Sequence, residues 1–176
     1  GAGLLLAALP AEAQNIIRPK IVGPNGLWVN SYNGVLFFGQ TDMETQNSQM
    51  PMQLRFYYNS SAQSTNYGYG LGFSLGFEMR YRVNEIGGVV IETGDGRTDT
   101  FKKFGNDFEA PAGVFSKVEE YESGKFRLTE KSGEQYFFDD AKHGKVTSMT
   151  DRNGNKTTFT YQDSMLVKVQ DAVGHV

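Results

Sequence analysis

From Phe73 to Val83 every second residue is apolar: Phe73, Leu75, Phe77, Met79, Tyr81 and Val83 alternate with Ser74, Gly76, Glu78, Arg80 and Arg82. Successive side chains of a strand point to opposite faces, so the run predicts one strand whose apolar set is committed to a core. Burying each such side chain contributes roughly 1.5–3 kcal/mol, which strongly disfavours a one-residue slip of register. Met52, Leu54, Phe56 and Tyr58 show the same alternation in an earlier segment. Before that, Leu27, Trp28 and Val29 lead through Tyr32-Asn33-Gly34 into residues 35–38, which predicts a first hairpin. Further short strands are expected at residues 89–92, 97–104, 115–121, 126–130, 135–138, 146–150, 157–161 and 165–170, each bounded by Gly, Asp, Asn or Ser. No stretch carries a helical period. The chain is predicted to be all-β, a series of antiparallel β-hairpins, with Trp28, Phe73, Leu75, Phe77, Met79 and Tyr81 as core anchors.

Composition narrows what such a fold can do. There are 21 glycines in 176 residues, well above the average of about 7%, which suits many tight turns. The absence of cysteine removes disulfides, thiolate metal sites and cysteine nucleophiles together. With a net charge of −3 and interspersed signs there is no basic stripe to neutralise phosphates, so nucleic acid is not an expected partner. The two histidines, His143 and His175, have no nucleophile beside them in sequence, and no pair of carboxylates stands out for hydrolysis. No catalytic residue, cofactor or metal is expected. Asp95-Gly96 and Asp151-Arg-Asn153-Gly154-Asn155 place oxygens at alternate positions, as calcium loops do, but neither completes an EF-hand, and both have the residues that hairpin turns require. The glycines at 68, 70, 72 and 76 lack the spacing and the following helix of a phosphate loop. Asn59-Ser-Ser and Asn155-Lys-Thr fit the glycosylation sequon, which matters only in a host that reads it.

Residues 1–13 read as the end of a signal peptide. Gly1 to Pro10 is an apolar run, and Ala11-Glu12-Ala13 supplies the small-x-small site, so cleavage is predicted to leave Gln14 first. The run is too short to span a bilayer. Residues 14–26, with Pro19, Pro24 and no periodicity, read as a lead-in linker. The mature chain is therefore expected to be secreted or at the cell surface, with no membrane span after cleavage.

The C-terminal third repeats itself. A shift of twenty superposes Asp171 on Asp151, Gly174 on Gly154, Val169 on Met149 and Leu166 on Val146. Independently, Gly96, Gly133 and Gly154 are each followed five residues later by an aromatic: Phe101, Phe138 and Phe159. A turn glycine supplies a positive φ, and the aromatic is what a two-stranded unit must bury against its neighbour, because a lone hairpin is barely stable.

The Asp151-Arg-Asn-Gly-Asn155 turn, followed by Phe159-Thr-Tyr161 and then Asp171 and Gly174, resembles the YD repeat of RHS proteins, a family that includes bacterial polymorphic toxins, toxin-complex C components and animal teneurins. Val29-Asn30, Tyr32-Asn33-Gly34, Thr41-Asp42, Pro51-Met-Gln-Leu-Arg55, Tyr57-Tyr-Asn-Ser60 and Gly70-Leu-Gly72-Phe73 resemble, in order, the domain that leads such proteins. The departures are Gln162 where the Tyr-Asp pair has its acid, a missing glycine before Leu166, and Phe73 where tryptophan is common. The resemblance implies a leader β domain over residues 27–130 and first YD-type repeats over 131–176. It further implies a spiral of hairpins closing into a shell, often around a C-terminal toxin. The expected partners are then later repeats of the same chain and a C-terminal effector domain.

Two other classes compete with this structural reading. An outer-membrane β-barrel is suggested by the signal and by the length of the Phe73 to Val83 run, although Lys102 and Lys103 beside Phe101 and Phe104 put charge on both faces of a later strand. A secreted carbohydrate-binding β-sandwich would use Tyr67, Tyr69 or Trp28 as an exposed platform for surface glycans.

Overall fold

The structure, a computed structural model, describes residues 20–22, 27–30, 35–44, 53–163 and 165–174. The predicted signal segment, most of the predicted lead-in, the predicted Tyr32-Gly34 turn and His175 lie outside the described residues. What is described is all-β, with fifteen strands in three antiparallel sheets and a single 3-10 turn at Ser60–Ala62. The first sheet runs β1 (Lys20–Val22), β2 (Leu27–Asn30), β3 (Leu36–Glu44), β4 (Gln53–Asn59) and β5 (Phe73–Leu75). The second runs β6 (Arg80–Val83), β7 (Val89–Glu92), β8 (Thr98–Phe104) and β9 (Asp107–Glu109). The third runs β10 (Lys117–Glu122), β11 (Lys125–Thr129), β12 (Gln135–Phe138), β13 (Ser148–Thr150), β14 (Lys156–Gln162) and β15 (Met165–Gln170). Within each sheet every strand pairs only with its neighbours in sequence, so the chain is a succession of hairpins. Strands β1, inside the expected linker, and β9 had no period to announce them, because three residues are too few to show one.

One turn geometry closes four of the hairpins. In the loops starting at Asn84, Thr93, Glu130 and Asp151, the first residue's N–H donates to the carbonyl four residues on, at 2.8, 2.9, 2.8 and 3.0 Å. The glycine three residues on donates back to the first residue's carbonyl, and those glycines have φ of 81°, 78°, 95° and 86°. This is the three-residue hairpin loop that ends on a left-handed residue, where glycine alone has no steric penalty. Asp171 and Gly174 repeat the glycine-to-carbonyl bond at 3.2 Å, with φ of 94° at Gly174.

The alternating run from Phe73 to Val83 is two strands in two sheets, not one. Leu75 and Phe73 pair with Phe56 and Tyr58, whereas Tyr81 pairs with Ile91. Between them the chain turns: the Gly76 amide donates to the Arg55 carbonyl at 2.7 Å and the Glu78 amide to that of Leu75 at 2.8 Å. Period-two facing does not survive a turn, so the assigned faces break there. Leu75 and Tyr81 are buried and Phe77 and Met79 half-buried against the core, but Phe73 and Val83, at the ends of β5 and β6 away from the turn, are 38% and 53% exposed. Conversely Glu78, one of the residues that alternate with the apolar set, is only 4% exposed. Trp28 lies in β2 opposite Phe37, and its side chain is outside the described residues.

The core is shared by the second and third sheets. Tyr81, Val89, Ile91 and Phe101 from one meet Val118, Phe126, Leu128, Phe138 and Phe159 from the other, with Val146 between. The three aromatics set five residues after a turn glycine, Phe101, Phe138 and Phe159, all lie in this cluster. An odd separation from a fixed loop geometry brings each to the same face of its hairpin.

Candidate functional site

The sheets meet around a buried set of charges that the sequence did not announce. Residues 144–146 lie along the free edge of β6: the Tyr81 amide donates to the Gly144 carbonyl at 2.7 Å and the Val146 amide to that of Met79 at 2.9 Å. Gly144 has φ of +64°, and a Cβ there would stand 2.2 Å from the Tyr81 carbonyl oxygen, so this approach requires glycine. The contact places Lys145 opposite Arg80 in the ladder. Lys145 and Arg80 both approach Glu78 Oε1, at 3.7 and 3.6 Å, longer than hydrogen bonds. The Glu78 and Lys145 side chains are 3% and 6% exposed. Burial pushes the Glu78 carboxyl above its ordinary range despite the two cations, and burial likewise lowers the Lys145 ammonium against the pull of Glu78.

Aromatic residues complete the cluster. The Arg80 guanidinium lies 4.1 Å from the centre of the Tyr67 ring, and the Lys145 ammonium 4.6 Å from that of Tyr161. Tyr67 donates its hydroxyl to Glu92 at 2.6 Å, and burial together with that bond pushes its pKa up to about 12. Tyr69 packs edge-on to Phe56, 5.7 Å between ring centres, and its hydroxyl accepts from the Leu166 amide at 3.3 Å. Both tyrosines proposed as a sugar platform are therefore engaged within the protein. The Tyr161 hydroxyl is buried without a hydrogen-bond partner, an arrangement that costs about 1–3 kcal/mol. Tyr161→Phe keeps the ring under Lys145 and is expected to raise stability by about 1 kcal/mol, read as a higher urea midpoint; a lower midpoint would show that the hydroxyl contributes.

The predicted repeat residues divide by role. Asp151 Oδ1 accepts from the amides of Asn153 and Asn155 at 2.8 and 2.9 Å, and Oδ2 accepts from the Asn155 side chain at 2.8 Å. These bonds, the Asn155 side chain first, hold the Asp151 carboxyl below its usual range and occupy oxygens that a cation would need. Asp171 does the same for the Val173 amide at 3.0 Å. Asn84 performs it in the second sheet, accepting from Ile86 and Gly88 at 3.2 and 2.8 Å. A side-chain oxygen that closes its own loop explains why Asp or Asn stands three residues before the glycine. Gly154 and Gly174 are the left-handed positions, and Phe159 is core. Asp95 bonds to Thr93 and to the Arg97 amide, at 2.5 and 3.1 Å. His143 pairs with Asp140 at 2.6 Å on an exposed loop. Among the described residues no three His, Cys, Asp or Glu gather as metal ligands, and no helix is long and apolar enough to cross a membrane.

Glu78, Arg80, Glu92 and Lys145 form the cluster yet have no signal in the sequence. Glu78 and Arg80 fall on the polar side of an alternation that the turn interrupts, and Lys145 sits in an ordinary polar loop. The arrangement ties the segment before β6 to the loop that carries Lys145, and so clamps one sheet to the next.

Two family models match. Residues 26–101 match a domain of unknown function (DUF6531), and residues 140–176 match the RHS repeat. No curated protein matches the chain. The second match covers both Asp-x-x-Gly loops, and the first ends on Phe101, the earliest of the three aromatics that follow a turn glycine. With the repeated loop and the shared aromatic core carried by one continuous series of hairpins, the two matches, a DUF6531 region followed by an RHS repeat, make the chain similar to the RHS/YD-repeat family.

Proposed function

We propose that this chain is the non-catalytic, structural N-terminal part of an exported RHS/YD-repeat protein, contributing hairpins to a β-shell that encloses or presents a C-terminal effector. The observation that carries the reading is the recurrence of one loop geometry from Asn84 to Gly174, with each hairpin giving its aromatic or aliphatic face to a core shared across sheets. Such units have no independent stability and gain it by stacking. The leader spans residues 27–130 and the first repeats 131–176 in this reading. Its partners are later repeats of the same protein and the effector. Export follows from the small-x-small site at Ala11-Glu12-Ala13, and puts the mature protein outside the cell or on its surface. The barrel alternative loses its main support, because the long strand it relied on is divided between two sheets.

The test is to read the coding frame past the codon for Val176. Asp-x-x-Gly units continuing at roughly twenty-residue spacing are expected. A frame that continues without them would overturn the shell. Amino-terminal sequencing of the exported protein should begin at Gln14, and a chain still starting at Gly1 would remove the export step.

A further inference from the structure

Residues of the second and third sheets line a groove of about 590 Å³ beside β6. Its rim carries Arg82 from β6, Lys103 from β8 and Lys142 from the loop before Gly144, all exposed. None of the three has a carboxylate partner among the described residues, whereas Arg80, Arg97, Lys125, Arg127 and Lys145 each meet one. The groove's own carboxylate, Glu120, accepts from the Gly124 amide at 2.9 Å, and the His143 ring is paired with Asp140. Three cations therefore face one glutamate in a chain whose net charge is −3.

The floor is apolar. Tyr81 and Phe126 lie beneath, Phe108 is half-buried with the Lys103 ammonium 6.0 Å from its ring centre, and Val83 stands 53% exposed at the edge. The walls are kept low by glycine: φ is +81° at Gly87 and +70° at Gly124. A Cβ at Gly124 would stand 3.1 Å from that of Ala141.

We infer that this groove binds an acidic peptide segment that also carries an apolar side chain. Its size falls in the about 300–1,000 Å³ range of well-formed ligand sites. A single small anion would satisfy one cation, but the three come from three different elements, and it would leave the apolar surface of Phe108 and Val83 uncovered. Alternating acidic and aromatic residues in an extended chain supply both groups at once, acids to the rim and rings to the floor.

The experiment uses the full chain and a fluorescein-labelled probe peptide, Glu-Phe-Glu-Phe-Glu, followed by fluorescence anisotropy. Saturable binding is expected, weakening by about tenfold or more in Lys103→Glu/Lys142→Glu, whereas Lys117→Glu/Arg152→Glu, the same charge change outside the groove, leaves it unchanged. Ala141→Trp, which fills the groove without altering charge, should also abolish binding, with circular dichroism confirming that each variant is folded. Absence of binding, or equal loss in the groove and distal variants, would overturn the inference. So would equal affinity for a probe with Ala in place of Phe, or displacement by inorganic phosphate alone, since either result describes a simple anion site.

Discussion

Phe138→Ala is expected to cost about 3–5 kcal/mol of stability, enough to remove most of the folded population of a marginal domain. Phe138 is wholly buried, pairs with Phe126 across β11 and β12, and lies 5.6 Å from the Tyr81 ring. It thus joins two strands of the third sheet to the first strand of the second. Truncation leaves a cavity at the point where two sheets share their core, and the ladder hydrogen bonds on either side prevent the walls from collapsing into it. Phe104→Ala is the matched comparison, since that ring is 77% exposed and its loss should change stability by no more than about 0.5 kcal/mol. Urea unfolding of the two variants measures the difference, and equal midpoints would mean that the shared core does not hold the sheets together.

The second large effect has the opposite sign. Replacing both members of the buried ion pair, as Glu78→Leu/Lys145→Met, is expected to stabilise the protein at neutral pH by about 1–4 kcal/mol. The ion-pair distances of 3.6 and 3.7 Å are too long to offset the removal of two charges from water, and the carboxyl of Glu78 is raised accordingly. The pH dependence follows in sign. A carboxyl with a raised folded value takes up its proton earlier in the folded than in the unfolded state, so its stabilising contribution is complete below the unfolded value and is lost as pH rises through the folded one. Wild type should therefore gain stability as mild acid protonates Glu78, while the double variant does not, and the gap between them should narrow. A gap that stays constant from neutral pH into the acid range would show that Glu78 is not the group responsible.

If natural sequences keep this pair in spite of its cost, the geometric reason is visible. Lys145 reaches Glu78 only when residues 144–146 lie along β6 in the observed register. An apolar pair would tolerate a slipped register, and a charged one does not. The clamp thus acts on how the sheets join more than on how tightly.

The all-β class, the succession of hairpins and the family resemblance were legible in the sequence, because each rests on local physics. Glycine at a left-handed position, an Asp or Asn that caps its own loop, and alternation within a strand act over a few residues and leave a pattern that can be read directly. Gly154 takes the left-handed conformation, Asp151 bonds across its own loop and Phe159 is buried. What the sequence could not determine is which strand joins which sheet. The alternation from Phe73 to Val83 is continuous in sequence, but the backbone turns at Gly76 because the Arg55 carbonyl offers its amide a partner. That one turn buries Glu78 and makes a charged cluster from residues on the nominal polar face. The groove beside β6 has the same origin: its cations come from segments of the chain about twenty and forty residues apart, brought together only when the second and third sheets pack. Periodicity reports the face of an element, and only the packing of elements decides what that face meets.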